Sequence, residues 1–414
     1  MKYAIIGGGV SGLSVAKMLK NQNQNVTVYE KYGRPGGMIK CDRIDGCLFH
    51  RTGGHVFNTK RKDVLDWFWG NFDKENEFTK TIRNASVVMP DGKNVPYPIE
   101  NHIYLFDEDV QKSFIDDLLS IEKQKGHDPD NFDEFLRGRF GNTLFNLYFQ
   151  PYNYKVWRRD LSKVPISWLE GKLPMPTVSE MIYNNINHVE ERSFVHSSFF
   201  YPKTDGSQFI ANRLAEGVDV HYNSTVERLS RKNDKWYYDE EEYDRVIFCG
   251  NIKQIPSLVA NFIEEISEYN DEIEKLEAHG TTSVFCEIEK NPYSWIYLPD
   301  RRYDSHRIIC TGNFSESNNA EDKMTATVEF TDEISESSIL ENLEEMPYSP
   351  KYLSSHYERY TYPIQSSTTR TLINSIKGVL EPRGFYLLGR FAEWEYYNMD
   401  VAIGAALDLT KRMR

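Results

Sequence analysis

A chain of 414 residues exceeds the size at which one hydrophobic core usually stops growing, so two or three packed domains are expected. Apolar residues at 40% and charged residues at 27% are ordinary for a globular protein, while 14% aromatic content suits one that must grip flat rings. The net charge of -13 repels nucleic-acid phosphates and anionic lipid at long range; neither is an expected partner, although a locally cationic cleft still accommodates a small anion.

The chain opens on the apolar run Lys2 to Ile6, fit for a buried parallel strand, and no signal sequence is expected. Gly7-Gly8-Gly9-Val10-Ser11-Gly12 follows, then a helical pattern through Leu13, Ala16, Met18 and Leu19, and a second strand from Val26 to Tyr29 closed by Glu30. Gly7, Gly9 and Gly12 have the G-x-G-x-x-G spacing. The first permits a tight turn, the second lets a pyrophosphate approach the backbone, and the third lets the helix lie close on the strand. Free N–H groups at the helix start favour an anion, and Glu30 stands where a carboxylate accepts from an adenosine ribose.

From about Asn131 to Trp157 the pattern is helical and aromatic-rich, and the proline-dotted stretch Leu173-Pro174-Met175-Pro176 ends the helical region. Beyond Phe199, the segments Val218–Tyr222, Lys235–Tyr238, Arg245–Phe248, Thr282–Glu287 and Thr325–Phe330 read as strands, many short enough for an antiparallel sheet. The acidic stretch Glu264 to Glu277 reads as a solvated helix face. The chain closes on a strand, Phe385 to Leu388, Gly389-Arg390, and a helix from Asp400 to about Lys411. No apolar run approaches a membrane span, so no membrane insertion is expected. Cys41, Cys47, Cys249, Cys286 and Cys310 are scattered without a Cys-x-x-Cys pair, which predicts free thiols in a cytoplasmic protein and no metal site.

NAD and FAD share the glycine fingerprint. The segment Arg34-Pro35-Gly36-Gly37-Met38 resembles the R-x-G-G run of the glutathione-reductase-like flavoproteins, a group that includes the amine oxidases, and this resemblance favours FAD. In that group a strand, Gly389-Arg390 here, and the N-terminus of the helix near Asp400 make a second flavin contact, and Val226 falls where adenine is met by backbone groups. Further motifs narrow the choice: Gly53-Gly54-His55-Val56-Phe57, Val95-Pro96-Tyr97-Pro98-Ile99-Glu100-Asn101, Pro151-Tyr152-Asn153-Tyr154-Lys155-Val156-Trp157, Trp168-Leu169, Trp295 to Pro299, Arg307, Tyr360 to Pro363 and Gly389-Arg390-Phe391. In this order they resemble the UDP-galactopyranose mutase family, closer in wording to its eukaryotic branch.

That resemblance implies an α/β chain whose Rossmann-like FAD-binding domain is discontinuous (1–78, 203–260, 370–414). It carries an inserted helical domain (100–190, with a mobile substrate loop near 168–178) and an antiparallel β-sheet substrate domain (79–99, 191–202, 261–369). It also implies a sugar-nucleotide isomerase of the kind that serves cell-surface polysaccharide synthesis. In it the reduced flavin attacks the sugar, UDP departs, and the ring reopens and recloses with no net redox.

The UDP-sugar is the expected partner, with an external reductant such as NAD(P)H. Carried over by motif, Arg307 pairs with the pyrophosphate, and Lys172 stands where the family has a second arginine, keeping charge but losing the bidentate fork. Arg158 and Arg159 are candidates to share that load. His55 lies beside the flavin; Tyr97, Asn101, Tyr152, Trp157 and Tyr297 fall on the nucleotide side; and Tyr362 and Tyr396 meet phosphate. Asn398 replaces an aspartate of bacterial members, and His196 stands near an asparagine of eukaryotic ones. A flavin oxidase and a non-catalytic flavin-fold protein are the alternative readings.

Overall fold

The computed structural model describes residues 1–123, 128–166, 176–189, 198–259 and 262–413. Five parallel strands form the first sheet in the order Phe385–Leu387, Arg245–Phe248, Lys2–Ile6, Asn25–Tyr29 and Asp219–His221. The chain therefore leaves this sheet after its second strand and returns only after residue 200. Helices Val10–Asn21 and Met399–Arg412 pack together on one face, through Leu13, Ala16, Ile403 and Ala406 among others, and small residues at the contact let the helices approach closely.

The second sheet has seven strands: Lys351–Pro363, Ala278–Ile288, Met324–Thr331, Arg307–Ile309, Trp295–Tyr297, Ala85–Val88 and Asn94–Pro96. It is antiparallel except at one place. Trp295–Tyr297 runs parallel to Ala85–Val88, which corrects the wholly antiparallel expectation. Two three- or four-residue strands about 200 positions apart carry no local signal of direction, and their pairing is set by the core beneath them. The longest strand pairs His279 with Tyr362 but Thr281 with Glu358, so four steps on one side face two on the other, a bulge.

The helical region comprises Glu108–Lys123, Phe132–Leu144, a π-turn at Phe145–Phe149, Gln150–Trp157 and Val178–Ile186. Gly141 breaks the run Phe132–Leu144 with φ 81°, and a Cβ there would lie 2.4 Å from Asp117 Cβ, so the close helix crossing needs glycine. The acidic segment forms the turns Glu264–Tyr269 and Asn270–Glu274, whose apolar residues Ile266 and Ile273 are fully buried beneath exposed carboxylates. Among the described residues no helix is long and apolar enough to cross a membrane.

Candidate active site

The glycine loop sits at the carboxyl end of the first strand, where open α/β sheets hold their ligands. Gly7 turns with φ 112°, and its N–H donates to Tyr29 O at 2.8 Å. A Cβ on Gly12 would stand 2.0 Å from Gly7 O, so this glycine is needed for the helix to meet the strand. A Cβ on Gly9 would meet only Gly37 Cα, at 3.7 Å. Gly9 is thus open on the side that faces the cavity. The Arg34-Pro35-Gly36-Gly37 turn docks backbone to backbone on this loop: Gly36 N–H donates to Gly8 O at 2.8 Å, and Gly9 and Gly36 form a bridge. Glu30 accepts from Gly8 N–H at 2.7 Å and Tyr32 N–H at 3.0 Å.

A cavity of about 460 Å³ opens here, of the size that takes a cofactor. Gly7, Gly9, Gly12, Glu30, Gly36, Gly37, Val226, Gly389 and Arg390 all line it. A second cavity of about 110 Å³ is lined by Arg307, Tyr362 and Tyr396. His55, Arg390 and Asn398 border both, so the two adjoin. The strand Lys351–Pro363 walls both in turn, through His356, Glu358 and Tyr360 on the larger and Tyr362 on the smaller.

In the small cavity Arg307 donates through Nη2 to Tyr362 Oη at 3.0 Å and through Nε to Glu329. Glu329 is fully buried, and its other oxygen accepts from Gly53 N–H at 2.8 Å. Burial alone would raise the Glu329 carboxyl's pKa, yet Arg307 and His306 hold it well below its usual range. Burial works against the Arg307 charge, but Glu329, Tyr362 and Tyr152 more than offset it, so the guanidinium stays charged. Tyr362 and Tyr396 stack with centroids 5.6 Å apart, and the Arg390 guanidinium lies 4.0 Å from the Tyr396 ring centre. Two cations, two phenols and one carboxylate leave this pocket net positive, suited to an anion.

His55 is pushed down to about 4 by burial and by Arg390, so its imidazole is neutral near pH 7. Its Nε2, the Nε of Arg390 and the Nζ of Lys40 are buried without a hydrogen-bond partner, and all three residues line the large cavity. Orphaned polar atoms around an open glycine cradle are what a bound polar ring and pyrophosphate would satisfy, so the residues present fit a flavin dinucleotide.

Other expected residues lie elsewhere. Tyr97, Tyr152 and Tyr297 cluster with ring centres 5.0 and 5.6 Å from Tyr297, beside the helical core and outside both cavity walls. Asn101 is buried and accepts from Asn184 Nδ2 at 3.1 Å, so packing has engaged the amide expected to face substrate. Trp157 packs against Phe132, and its carbonyl lies 3.0 Å from His279 Nε2. Arg34 is paired with Asp42 and does not line the cavity. Asp400 lies in the first turn of Met399–Arg412, whose Met399 and Ala402 line the large cavity in its place. Arg158 faces Asp304 at 3.7 Å and Arg159 meets Glu277 at 2.6 Å, so both are engaged by carboxylates rather than held ready for a phosphate. Lys172, His196 and the Trp168-Leu169 pair lie outside the described residues.

Three contributors escaped the sequence reading. Glu329 had a signal: a charge inside an otherwise apolar and threonine-rich strand, Met324–Thr331. Lys155 ties the helix carrying Tyr152 to the turn ahead of Arg307 by donating to the carbonyls of Leu298 at 2.8 Å, Ser305 at 2.9 Å and Asp300. Lys40 had no signal beyond its nearness to the Gly36-Gly37 turn.

Residues 5–69 match the NAD(P)-binding Rossmann-like domain family. The chain is 22% identical to the UDP-galactopyranose mutase of Mycoplasma genitalium, covering 96% of this chain and 91% of that one. It is 24% identical to the dTDP-fucopyranose mutase of Escherichia coli over 61% of this chain and 63% of that one. Among solved structures, reduced UDP-galactopyranose mutase superposes with TM-score 0.87 at 21% identity, covering all of this chain and 96% of the other. The resemblance read from the ordered motifs therefore extends over nearly the full length, and the solved structure carries the fold.

Proposed function

We propose that this chain is an FAD-dependent sugar-nucleotide mutase that interconverts pyranose and furanose forms of a UDP-sugar. The observation that carries the proposal is the small net-positive cavity opening directly from the larger dinucleotide-sized one, with Arg307 and Tyr362 hydrogen-bonded at its wall. Full-length similarity to a UDP-galactopyranose mutase supports it. A protonated amine would be repelled by Arg307 and Arg390, which disfavours an amine-oxidase reading. A dTDP-sugar is the second reading, favoured by the similarity to a dTDP-fucopyranose mutase.

Bound at the glycine loop and reduced, the flavin supplies a nucleophilic ring nitrogen able to attack the anomeric carbon. The chain's own residues do the rest. Arg307, fixed by Glu329 and Tyr362, stabilises the charge that grows on the departing pyrophosphate. Tyr362 and Tyr396 donate to phosphate oxygens, and Lys172 is assigned a second cationic contact. Neutral His55 accepts or donates one hydrogen bond at the ring without adding charge there. Its five unpaired cysteines support a cytoplasmic setting, where NAD(P)H would serve as reductant.

The test is to incubate dithionite-reduced protein with UDP-galactopyranose and, in parallel, a dTDP-hexopyranose, and to separate the products by anion-exchange chromatography. A furanose isomer formed only by the reduced protein, with no reductant consumed per turnover, is the expected result. Equal rates from oxidised and reduced protein, or net oxidation of the sugar, would sink the mechanism.

The glycine loop gives a second check. Gly9→Val should leave a folded protein that no longer retains FAD, because the new side chain enters the cavity rather than the protein. Gly12→Ala should instead cost the fold, its Cβ meeting Gly7 O. A yellow, folded Gly9→Val protein with a full flavin complement would contradict the cofactor assignment.

A further inference from the structure

Lys40 is the one buried ammonium in the large cavity among the described residues. Its side chain is 3% exposed, its Nζ has no hydrogen-bond partner, and its nearest carboxylate is Glu30 at 3.8 Å, beyond hydrogen-bond reach. The ammonium lies 3.8 Å from the Tyr32 ring centre, and its stem runs against Gly36, where a Cβ would lie 3.1 Å from Lys40 Cγ. Gly36 in turn bridges Gly9, at the mouth of the helix Val10–Asn21. Lys40 thus lines the same cavity as Gly9 and Val10, at the helix N-terminus to which a pyrophosphate is drawn.

We infer that Lys40 donates to a phosphate oxygen of the bound dinucleotide, supplying a cationic contact separate from the glycine loop. This rests on reading the large cavity as the FAD site. An ammonium with no hydrogen-bond partner is costly in a protein interior unless a ligand completes it. Burial accordingly lowers its pKa to about 8, with Glu30 opposing and Arg51, Arg34 and Lys31 adding to the effect. Phosphate would restore the proton. FAD binding to the apoprotein should therefore take up protons above pH 8, and affinity should weaken as pH rises through that range.

Glu30, Tyr32, Lys31, Arg34 and Arg51 face Lys40, as does His356 from the long strand, with Asp42 and Glu358 nearby. A Lys40→Arg variant separates the lysine's titration from theirs, because a guanidinium keeps its proton throughout.

The experiment titrates apoprotein with FAD and, separately, with riboflavin, which lacks the phosphates, following flavin fluorescence at pH 7 and pH 9. In Lys40→Met the FAD Kd should rise by about ten- to a hundredfold at pH 7, the worth of one charged hydrogen bond, with riboflavin binding unchanged. Lys40→Arg should retain FAD binding at pH 7 and lose the weakening at pH 9 seen in the parent. An unchanged FAD Kd in Lys40→Met, an equal loss of riboflavin binding, or the same pH dependence in Lys40→Arg as in the parent would overturn the inference while leaving the FAD site intact. Parent apoprotein that takes up no FAD would overturn the dinucleotide reading itself.

Discussion

Arg307→Ala, with its flavin complement intact, should isomerise its sugar nucleotide at least about a hundredfold more slowly than the parent, a loss of about 3 kcal/mol or more. The guanidinium is held on two sides, by Glu329 and by Tyr362 at 3.0 Å, so its position does not depend on substrate to organise it. Preorganised charge of this kind acts most strongly where new charge appears, on the departing phosphate, so the loss should fall on kcat as well as on KM. Arg307→Lys should recover little, because an ammonium cannot meet Glu329 and Tyr362 with the same fork. Steady-state rates with the reduced protein, normalised to bound flavin, decide the matter. Turnover of Arg307→Ala at the parental rate would remove the small cavity from the mechanism.

Glu329→Gln should cost about 3 kcal/mol of stability, the scale of a broken buried ion pair. Glu329 is wholly shielded, meets Arg307 and Gly53 N–H, and has His306 Nε2 at 3.6 Å, so the amide leaves the part-buried Arg307 charge under-compensated. The pH dependence carries the same signature. The folded carboxyl is depressed below its ordinary value of 4.5, so its contribution is complete above about pH 5 and is lost as pH falls through the folded value.

Buried histidines act earlier. His50 and His55 are pushed by burial from 6.5 to about 3 and about 4, so the unfolded chain binds protons that the folded one refuses, and stability declines below about pH 6.5. Thermal melts from pH 8 to pH 2 should show both limbs in the parent. Glu329→Gln should be lower throughout and flatter below pH 5, with the histidine limb retained. An acid profile parallel to the parent's would show that the ion pair contributes nothing.

The glycine loop and the flanking strand and helix were legible because their constraints are local: tight turn, open backbone and close helix contact fall within a few residues of one another. Tyr362, Tyr396 and Arg307 could be gathered from ordered motifs, although nothing local in them brings three distant segments to one wall. Glu329 and Lys40 were missed for a different reason. A lysine after a turn carries an ordinary surface expectation, and a lone glutamate in an apolar strand signals burial without naming its partner, so only tertiary packing shows what each one meets. Asn101 is the converse, a polar residue beside a telling motif whose amide is engaged by Asn184 on a neighbouring helix. The parallel pairing of Trp295–Tyr297 with Ala85–Val88 was equally hidden, since strand direction is decided by the route of the chain between them.

The long strand Lys351–Pro363 works as a ruler. From His356 on the larger cavity to Tyr362 on the smaller one its backbone rises by roughly 20 Å at most, less what the bulge takes up, and alternate side chains are the marks along it. Among descendants of this chain, residue types along the ruler can drift with the ligand, but its length cannot. Loss of a single residue between Glu358 and Tyr362 would reverse the facing of one cavity wall relative to the other, so insertions and deletions should accumulate in the connecting loops and spare this stretch.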